Sequence, residues 1–177
     1  LIFGAQGQLG RDLMRVFGGE GEVFGCDLPE ADIADETSIY PFVQEFAPDL
    51  IINAAAYTNV EGAEDDLNHA TLTNESGARN VADLAHHHRI PVVYYSTDFV
   101  FDGRKAQAYT ELDTPAPLSV YGRTKLAGER ATTGANPRHY ILRSAWLYGP
   151  GGNNFVEKML QLAKEKPGLK VVTDEVG

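Results

Sequence analysis

Tyr121 and Lys125 stand four residues apart in the stretch Ser119-Val120-Tyr121-Gly122-Arg123-Thr124-Lys125-Leu126-Ala127-Gly128-Glu129. On a helix that spacing places both side chains on one face, a turn apart. A phenol alone is a poor acid or base at neutral pH, because its ordinary pKa is about 10. An ammonium within a few ångströms favours the phenolate and draws that value down toward the working range. A Tyr-x-x-x-Lys pair is therefore a compact proton donor. The same spacing also arises on any amphipathic helix with an exposed Lys beside a half-buried Tyr, so the rest of the chain decides between the two.

A second stretch supplies a partner for that chemistry. Gly4-Ala5-Gln6-Gly7-Gln8-Leu9-Gly10 follows an apolar run, Leu1-Ile2-Phe3, and precedes a helical pattern. The first glycine permits a tight turn, the second lets a pyrophosphate approach the backbone, and the third lets the helix pack close to the sheet. The helix N-terminus then faces the phosphates. The spacing is G-x-x-G-x-x-G rather than G-x-G-x-x-G. Asp27 ends the next strand-like run, where a carboxylate accepts hydrogen bonds from adenosine ribose hydroxyls. It repels a 2′-phosphate, and no Arg or Lys occurs at 28–34 to offset it. On charge, the cofactor expected is NADH rather than NADPH.

These residues need a scaffold, and apolar runs alternate with helical patterns along the chain. Strands are predicted at Leu1–Phe3, Glu22–Cys26, Leu50–Ile52, Pro91–Tyr95, Tyr140–Leu142 and Lys170–Val172. Helices are predicted at Gln8–Phe17, Thr37–Phe46 with Asp35 as N-cap, Asn68–His88, Tyr121–Thr132 and Phe155–Lys164. Several strands are apolar throughout, as in strands buried on both faces. The prediction is an α/β, Rossmann-like, doubly wound and mostly parallel sheet with helices on both faces, forming one dinucleotide-binding domain over 1–177. A loop of about twenty residues, Phe99 to Leu118, separates the fourth strand from the Tyr-Lys helix, and loops of that length carry function. Both ends read as truncated: the first strand is short, and the run Val171–Gly177 is expected to continue.

Composition narrows the partners. The chain has 177 residues and a net charge of −10, which argues against nucleic acid or an anionic membrane surface. No apolar run approaches membrane-spanning length and no signal peptide is visible, so a cytoplasmic location is expected. Cys26 is the only cysteine, so neither an internal disulfide nor a cysteine metal cluster is expected. His86-His87-His88 fan out at a helix end and read as a C-terminus that tolerates positive charge rather than as a metal site. The run Glu64-Asp65-Asp66 reads as a solvated helix start, and Asn74 as a poor helix former that either hydrogen-bonds toward the site or is exposed. The sequence leaves the oligomeric state open, a homodimer included.

Several segments occur together in one order: the glycine loop, Asn53-Ala54-Ala55-Ala56-Tyr57-Thr58, Ser96-Thr97-Asp98-Phe99-Val100-Phe101-Asp102-Gly103, and Pro117 through Glu129. Arg143-Ser144-Ala145-Trp146-Leu147-Tyr148 and Gly152-Asn153-Asn154-Phe155 complete the set. In this combination the chain resembles the dTDP-4-dehydrorhamnose reductase family of the extended short-chain dehydrogenases/reductases, over nearly its whole length. The resemblance implies reduction of the C4 ketone of dTDP-4-dehydro-L-rhamnose, a nucleotide-sugar substrate, with NADH or NADPH. It implies that Tyr121 protonates the developing alkoxide, that Lys125 holds the nicotinamide ribose, and that Thr97 hydrogen-bonds the ketone oxygen. Asp98 and Trp146 match sugar contacts. Gly4, Gly7, Gln8, Leu9 and Gly10 match the pyrophosphate loop, Asp27, Asp32 and Ile33 the ribose and adenine contacts. Ala55, Ala56, Tyr57 and Thr58 line the cofactor groove. Asp98 also suits a turn cap, Asp32 a polar turn, and Trp146 plain core filling. Members of that family continue beyond the point where this chain stops, and the continuation forms most of their sugar pocket. Two alternatives share the fold: a non-catalytic cofactor-binding regulatory subunit, like that of methionine adenosyltransferase, and a related nucleotide-sugar epimerase or dehydratase.

Overall fold

The computed structural model describes residues 1–149 and 154–171. Five strands run parallel in the order β2-β1-β3-β4-β5: β1 Ile2–Phe3, β2 Gly25–Cys26, β3 Ile51–Asn53, β4 Val92–Thr97 and β5 His139–Ser144. The ends of β2, β1 and β3 are level, and β4 and β5 run three residues further. Phe3 lies opposite Asn53, Asn53 opposite Tyr94, and Thr97 opposite Ser144. The strand order reverses between β1 and β3, and ligands of open α/β sheets bind at such a reversal.

Helix α1, Gln8–Phe17, follows β1 directly. Helix α2, Glu36–Phe46, begins at Asp35, whose carboxylate accepts from the Thr37 amide at 2.9 Å, as its N-cap position predicts. It stops at Ala47, in the left-handed conformation just before Pro48. Helix α5, Ala78–His87, and helix α6, Val120–Ala135, complete the layer that α2 begins. Right-handed crossovers place α1 on the opposite face of the sheet. The core lies between β1, β3, β4 and the α2–α5 layer, where Phe3, Ile39, Val43, Ile51, Val81 and Val92 are essentially fully buried. Cys26 is buried beside this core, and burial raises its thiol pKa to about 11, so it is an inert thiol.

Three expectations change. The single helix expected over Asn68–His88 is three pieces: α4 Leu67–Thr71, a π-helical turn Leu72–Gly77, and α5. Apolar periodicity survives a π turn, because one wider turn displaces the stripe without erasing it. A short helix α3, Val60–Asp65, precedes α4, and the acidic run divides between them. Asp66 caps α4, while Glu64 accepts from the Val120 amide at 2.7 Å and so anchors the start of α6. Lys170 and Val171 form no strand, and Val172, the last residue of the expected sixth strand, lies outside the described residues. Helix α7, Phe155–Glu165, matches its prediction to one residue and buries none of its side chains.

The glycine loop is held by contact as well as by conformation. Gly4 adopts φ +78°, a region that side chains avoid, and a Cβ there would sit 2.6 Å from the Ala55 amide nitrogen. A Cβ on Gly10 would lie 2.0 Å from the Gly4 carbonyl oxygen. Both neighbours are backbone and cannot swing away. Gly10→Ala should therefore lower stability by about 1–3 kcal/mol, as overpacking of a rigid contact does. Urea denaturation measures this, and an unchanged midpoint would show that the loop yields.

Candidate active site

The C-terminal ends of β1, β3, β4 and β5 open into one cleft of about 790 Å³. Its floor on one side is the glycine loop. Gly7 is the N-cap of α1 and has no side-chain oxygen to occupy the first-turn amides, so the positive end of α1 faces the cleft. Gln8, Leu9 and Gly10 line it beside Gly4 and Gly7. Asp27, at the tip of β2, is fixed by two amides: Gln6 donates to one carboxylate oxygen at 2.7 Å and Leu28 to the other at 2.8 Å. Asp32 and Ile33 lie on the same wall. Asp32 also accepts from the Ala34 amide at 2.9 Å, so its turn role is real and coexists with its place in the cleft. Ala55, Ala56 and Thr58 form the edge beyond β3.

Tyr57 is not brought into the cleft. Its ring packs with Ala63, Ala70 and Val120 and meets His69 edge-on at 5.0 Å. Its backbone is held by Asn74. The Asn74 side chain accepts from the Tyr57 amide at 2.9 Å and donates to the Tyr57 carbonyl at 3.1 Å. The same Nδ2 donates to Thr124 Oγ1 at 3.1 Å. Asn74 is 1% exposed, so of its two expected roles it takes the hydrogen-bonded one. The π turn that carries it clamps the β3 edge of the cleft to α6.

The opposite wall carries Tyr121 and Lys125. α6 begins at Ser119, whose hydroxyl accepts from the Gly122 amide at 3.0 Å. This puts Tyr121 in its first turn and Lys125 one turn on, and both line the cleft with Thr97. Burial raises the Tyr121 phenol above its ordinary value. A hydrogen bond with Thr97 pulls it down, and the charge of Asp98 pushes it up. The lowering expected from Lys125 is not the outcome in this structure. The Lys125 ammonium instead donates to the Tyr95 carbonyl at 2.6 Å and sits 4.3 Å from the centre of the Tyr94 ring. Burial lowers its own pKa to about 7. Thr97 Oγ1 donates to Asp98 at 3.0 Å and accepts from the Phe99 amide at 3.2 Å, so it caps the short turn Asp98–Val100.

Trp146 lies across the cleft, 48% exposed and therefore not core filling. Its backbone is at φ +53°, a strained conformation for a tryptophan, and its ring meets Phe155 edge-on at 5.5 Å. Sequence reasoning missed two further groups. Phe99 lines the mouth of the cleft, 44% exposed, with its ring 5.6 Å from that of Tyr121. Glu129 is a buried carboxylate two turns beyond Tyr121. An exposed aromatic and a buried acid both look ordinary in a sequence, although the i, i+4, i+8 stripe of Tyr121, Lys125 and Glu129 was a usable signal. Among the described residues no group of histidine, cysteine or acidic side chains could hold a metal, and no helix is long and apolar enough to cross a membrane.

This arrangement can seat a dinucleotide along the glycine loop and present a proton donor to whatever lies beside it. Residues 1–177 match the family model described as the RmlD substrate binding domain. The chain belongs to that family. This RmlD-family chain is 43% identical over 179 residues to dTDP-4-dehydrorhamnose reductase of Aggregatibacter actinomycetemcomitans, covering all of this chain and 61% of the relative. It is 39% identical over 181 residues to the Escherichia coli K12 protein of the same name, covering 60% of it. Among solved structures it matches a dTDP-4-dehydrorhamnose reductase from Clostridium acetobutylicum, with TM-score 0.93 and 42% identity over 97% of this chain and 61% of that one. It also matches one from Bacillus anthracis in complex with NADP, with TM-score 0.90 and 40% identity over 93% of this chain and 59% of that one. The RmlD-family chain thus spans about 60% of the length of such relatives.

Proposed function

We propose that residues 1–177 form the cofactor-binding domain and catalytic wall of an NAD(P)H-dependent reductase acting on the C4 ketone of dTDP-4-dehydro-L-rhamnose. The observation that carries this reading is the meeting of Thr97, Tyr121 and Lys125 in the cleft that begins at the glycine loop. Relatives named for that reaction, about 40% identical over the whole chain, support the substrate.

The cleft fits a nicotinamide dinucleotide. The loop approaches too closely for side chains at Gly4 and Gly10, the α1 N-terminus faces outward, and Asp27 is held ready for ribose hydroxyls. When bound, that group supplies the hydride. The chain's own residues do the rest. Gly7, Gln8 and Leu9 offer amides to the pyrophosphate, and Ala55, Ala56 and Thr58 flank the groove toward the nicotinamide. Lys125 holds the nicotinamide ribose. Thr97 and Tyr121 donate hydrogen bonds to the ketone oxygen, and Tyr121 gives up its proton as charge develops there. Asp98 and Trp146 bracket the sugar. Asp27 favours NADH by repelling a 2′-phosphate, and a relative in complex with NADP makes direct comparison of the two cofactors necessary.

The test is a pair of titrations followed by turnover. NADH should quench protein fluorescence on binding and bind more tightly than NADPH. In the full-length protein, dTDP-4-dehydro-L-rhamnose should then consume NADH in a one-to-one ratio with product. NADH binding without consumption, together with stoichiometric capture of a partner enzyme, would replace this reading with a regulatory subunit. Product without net NADH loss would replace it with an epimerase or dehydratase.

A further inference from the structure

Glu129 lies one turn beyond Lys125 on α6 and is 6% exposed. Its carboxylate is fully engaged. Ser96 Oγ donates to Oε1 at 2.5 Å, Arg143 Nε donates to the same oxygen at 2.8 Å, and Arg143 Nη2 donates to Oε2 at 2.6 Å. Three elements therefore meet at one buried acid: α6 through Glu129, β4 through Ser96 and β5 through Arg143. Ser96 is the residue before Thr97, and Ser144, the residue after Arg143, donates to the Ser96 carbonyl at 3.4 Å. The connection extends to the long loop after β4. The Arg143 guanidinium lies 5.0 Å from the centre of the Phe101 ring, and that ring stacks on Tyr109 at 4.2 Å.

A buried acid left unpaired is strongly destabilising, so pairing of this kind accounts for its presence but not for its place. Its place is explained by what lies above it. Lys125 is buried against the Tyr94 ring and the Tyr95 carbonyl of β4, with the charge of Glu129 one turn further along α6. Arg143 of β5 faces the group only through Glu129, and Asp98, after β4, acts on Tyr121. Burial disfavours the ammonium, and the charge of Glu129 favours it.

We propose that Glu129 is the positioning residue of this site: through Ser96 and Arg143 it locks α6 against the ends of β4 and β5, fixing Thr97 opposite Tyr121, and it supplies the negative charge that the Lys125 ammonium faces. This inference rests on the reductase reading for its consequence in turnover, but its electrostatic content is independent of it.

Two variants should have opposite effects. Glu129→Gln keeps the size of the side chain and an acceptor for Ser96 but removes the charge, so Lys125 should lose its proton at lower pH. Arg143→Gln leaves the Glu129 charge less neutralised, so Lys125 should hold its proton to higher pH. A merely structural role predicts something else: loosening α6 admits water to Lys125 and raises its titration midpoint in both variants. The measurement is the pH titration of the Lys125 side-chain carbon signal by NMR with ¹³C-labelled lysine, assigned by its disappearance in Lys125→Met. The expected shifts are about one unit down for Glu129→Gln and upward for Arg143→Gln, with Glu129→Asp restoring most of the first. NADH affinity read alongside should weaken at neutral pH in Glu129→Gln and recover on acidification, while Lys125→Met stays weak throughout. An unmoved midpoint in Glu129→Gln, or a rise in both variants, overturns the proposal. Should Glu129→Gln not fold, a fall in Arg143→Gln overturns it alone. If the midpoints move as expected and the wild-type protein binds no NADH, the reductase reading fails and the coupling of Glu129 to Lys125 stands.

Discussion

Tyr121→Phe should leave the fold and NADH binding nearly intact and lower turnover of the keto-sugar by about 10²–10⁴-fold, the range typical of losing a positioned general acid. The substitution removes one oxygen and keeps the ring. The edge-on contact with Phe99 at 5.6 Å and the packing against Ala63, Ala70 and Val120 therefore persist. What disappears is the hydroxyl, in the cleft that Thr97 also lines. Burial raises the phenol, so at neutral pH Tyr121 carries its proton and is a donor rather than a base. That suits the reduction direction, where hydride arriving at the carbonyl carbon leaves negative charge on the oxygen. Steady-state kinetics with NADH in excess, paired with an NADH titration, check this result. Wild-type turnover in Tyr121→Phe would remove Tyr121 from the role of proton donor.

Lys125→Met should have two effects of opposite sign. Cofactor affinity and turnover should fall, because the ammonium proposed to hold the nicotinamide ribose is gone. Stability rises. Lys125 is 3% exposed, and its pKa falls from 10.5 to about 7 because burial penalises the charge. Between those two values the unfolded chain binds a proton that the folded protein does not, so stability increases with pH across that window. Below about pH 7 both states are protonated and the folded protein carries the whole cost of the buried charge. Methionine fills the same channel without a charge and removes this dependence. The variant should therefore be more stable than the wild type by a few kcal/mol, on the order of the linkage for a shift this large, in mildly acidic solution. The gap should close as pH approaches the ordinary lysine value. Urea denaturation of both proteins across that range gives the answer, and the comparison cancels groups common to both, such as Cys26. A gap that widens with pH would mean that Lys125 is stabilised by its surroundings rather than strained by them.

The opposition is characteristic of a functional residue. A site that holds an ammonium out of water gives up stability for a group whose charge is ready to act, and the surrounding fold must supply the difference. In this chain Tyr94, the Tyr95 carbonyl and Glu129 make that ammonium tolerable.

Much of the architecture was legible from residue order. Among the described residues, alternating apolar runs and helical stripes identified the five strands and every helix longer than a turn or two, and the Asp35 and Asn154 caps fall where short polar residues precede a stripe. The glycine spacing located the tight loop between β1 and α1, where backbone contact leaves no room for a side chain at Gly4 or Gly10. These are local properties: periodicity, capping and steric size act within a few residues, and a sequence records them directly. Partners across the fold are another matter. The sequence marks Glu64 as one of three acids in a row, and only tertiary packing sends it to the Val120 amide. It marks Tyr57 as next to the groove, and packing against α3, α4 and α6 turns its ring away. It marks Asn74 as a weak helix former, and the π turn makes it a clamp.

Tyr121 and Lys125 carry the same lesson. By itself the sequence determined that they share a helix face, in a chain that also carries a glycine-rich loop after its first strand; their meeting with Thr97 in one cleft came with the fold. The tertiary structure alone decided the state of each group. The Tyr95 carbonyl and the Tyr94 ring touch the ammonium and the charge of Glu129, itself paired with Arg143, acts on it, and solvation and charge at a buried site depend on neighbours that the chain order leaves unspecified.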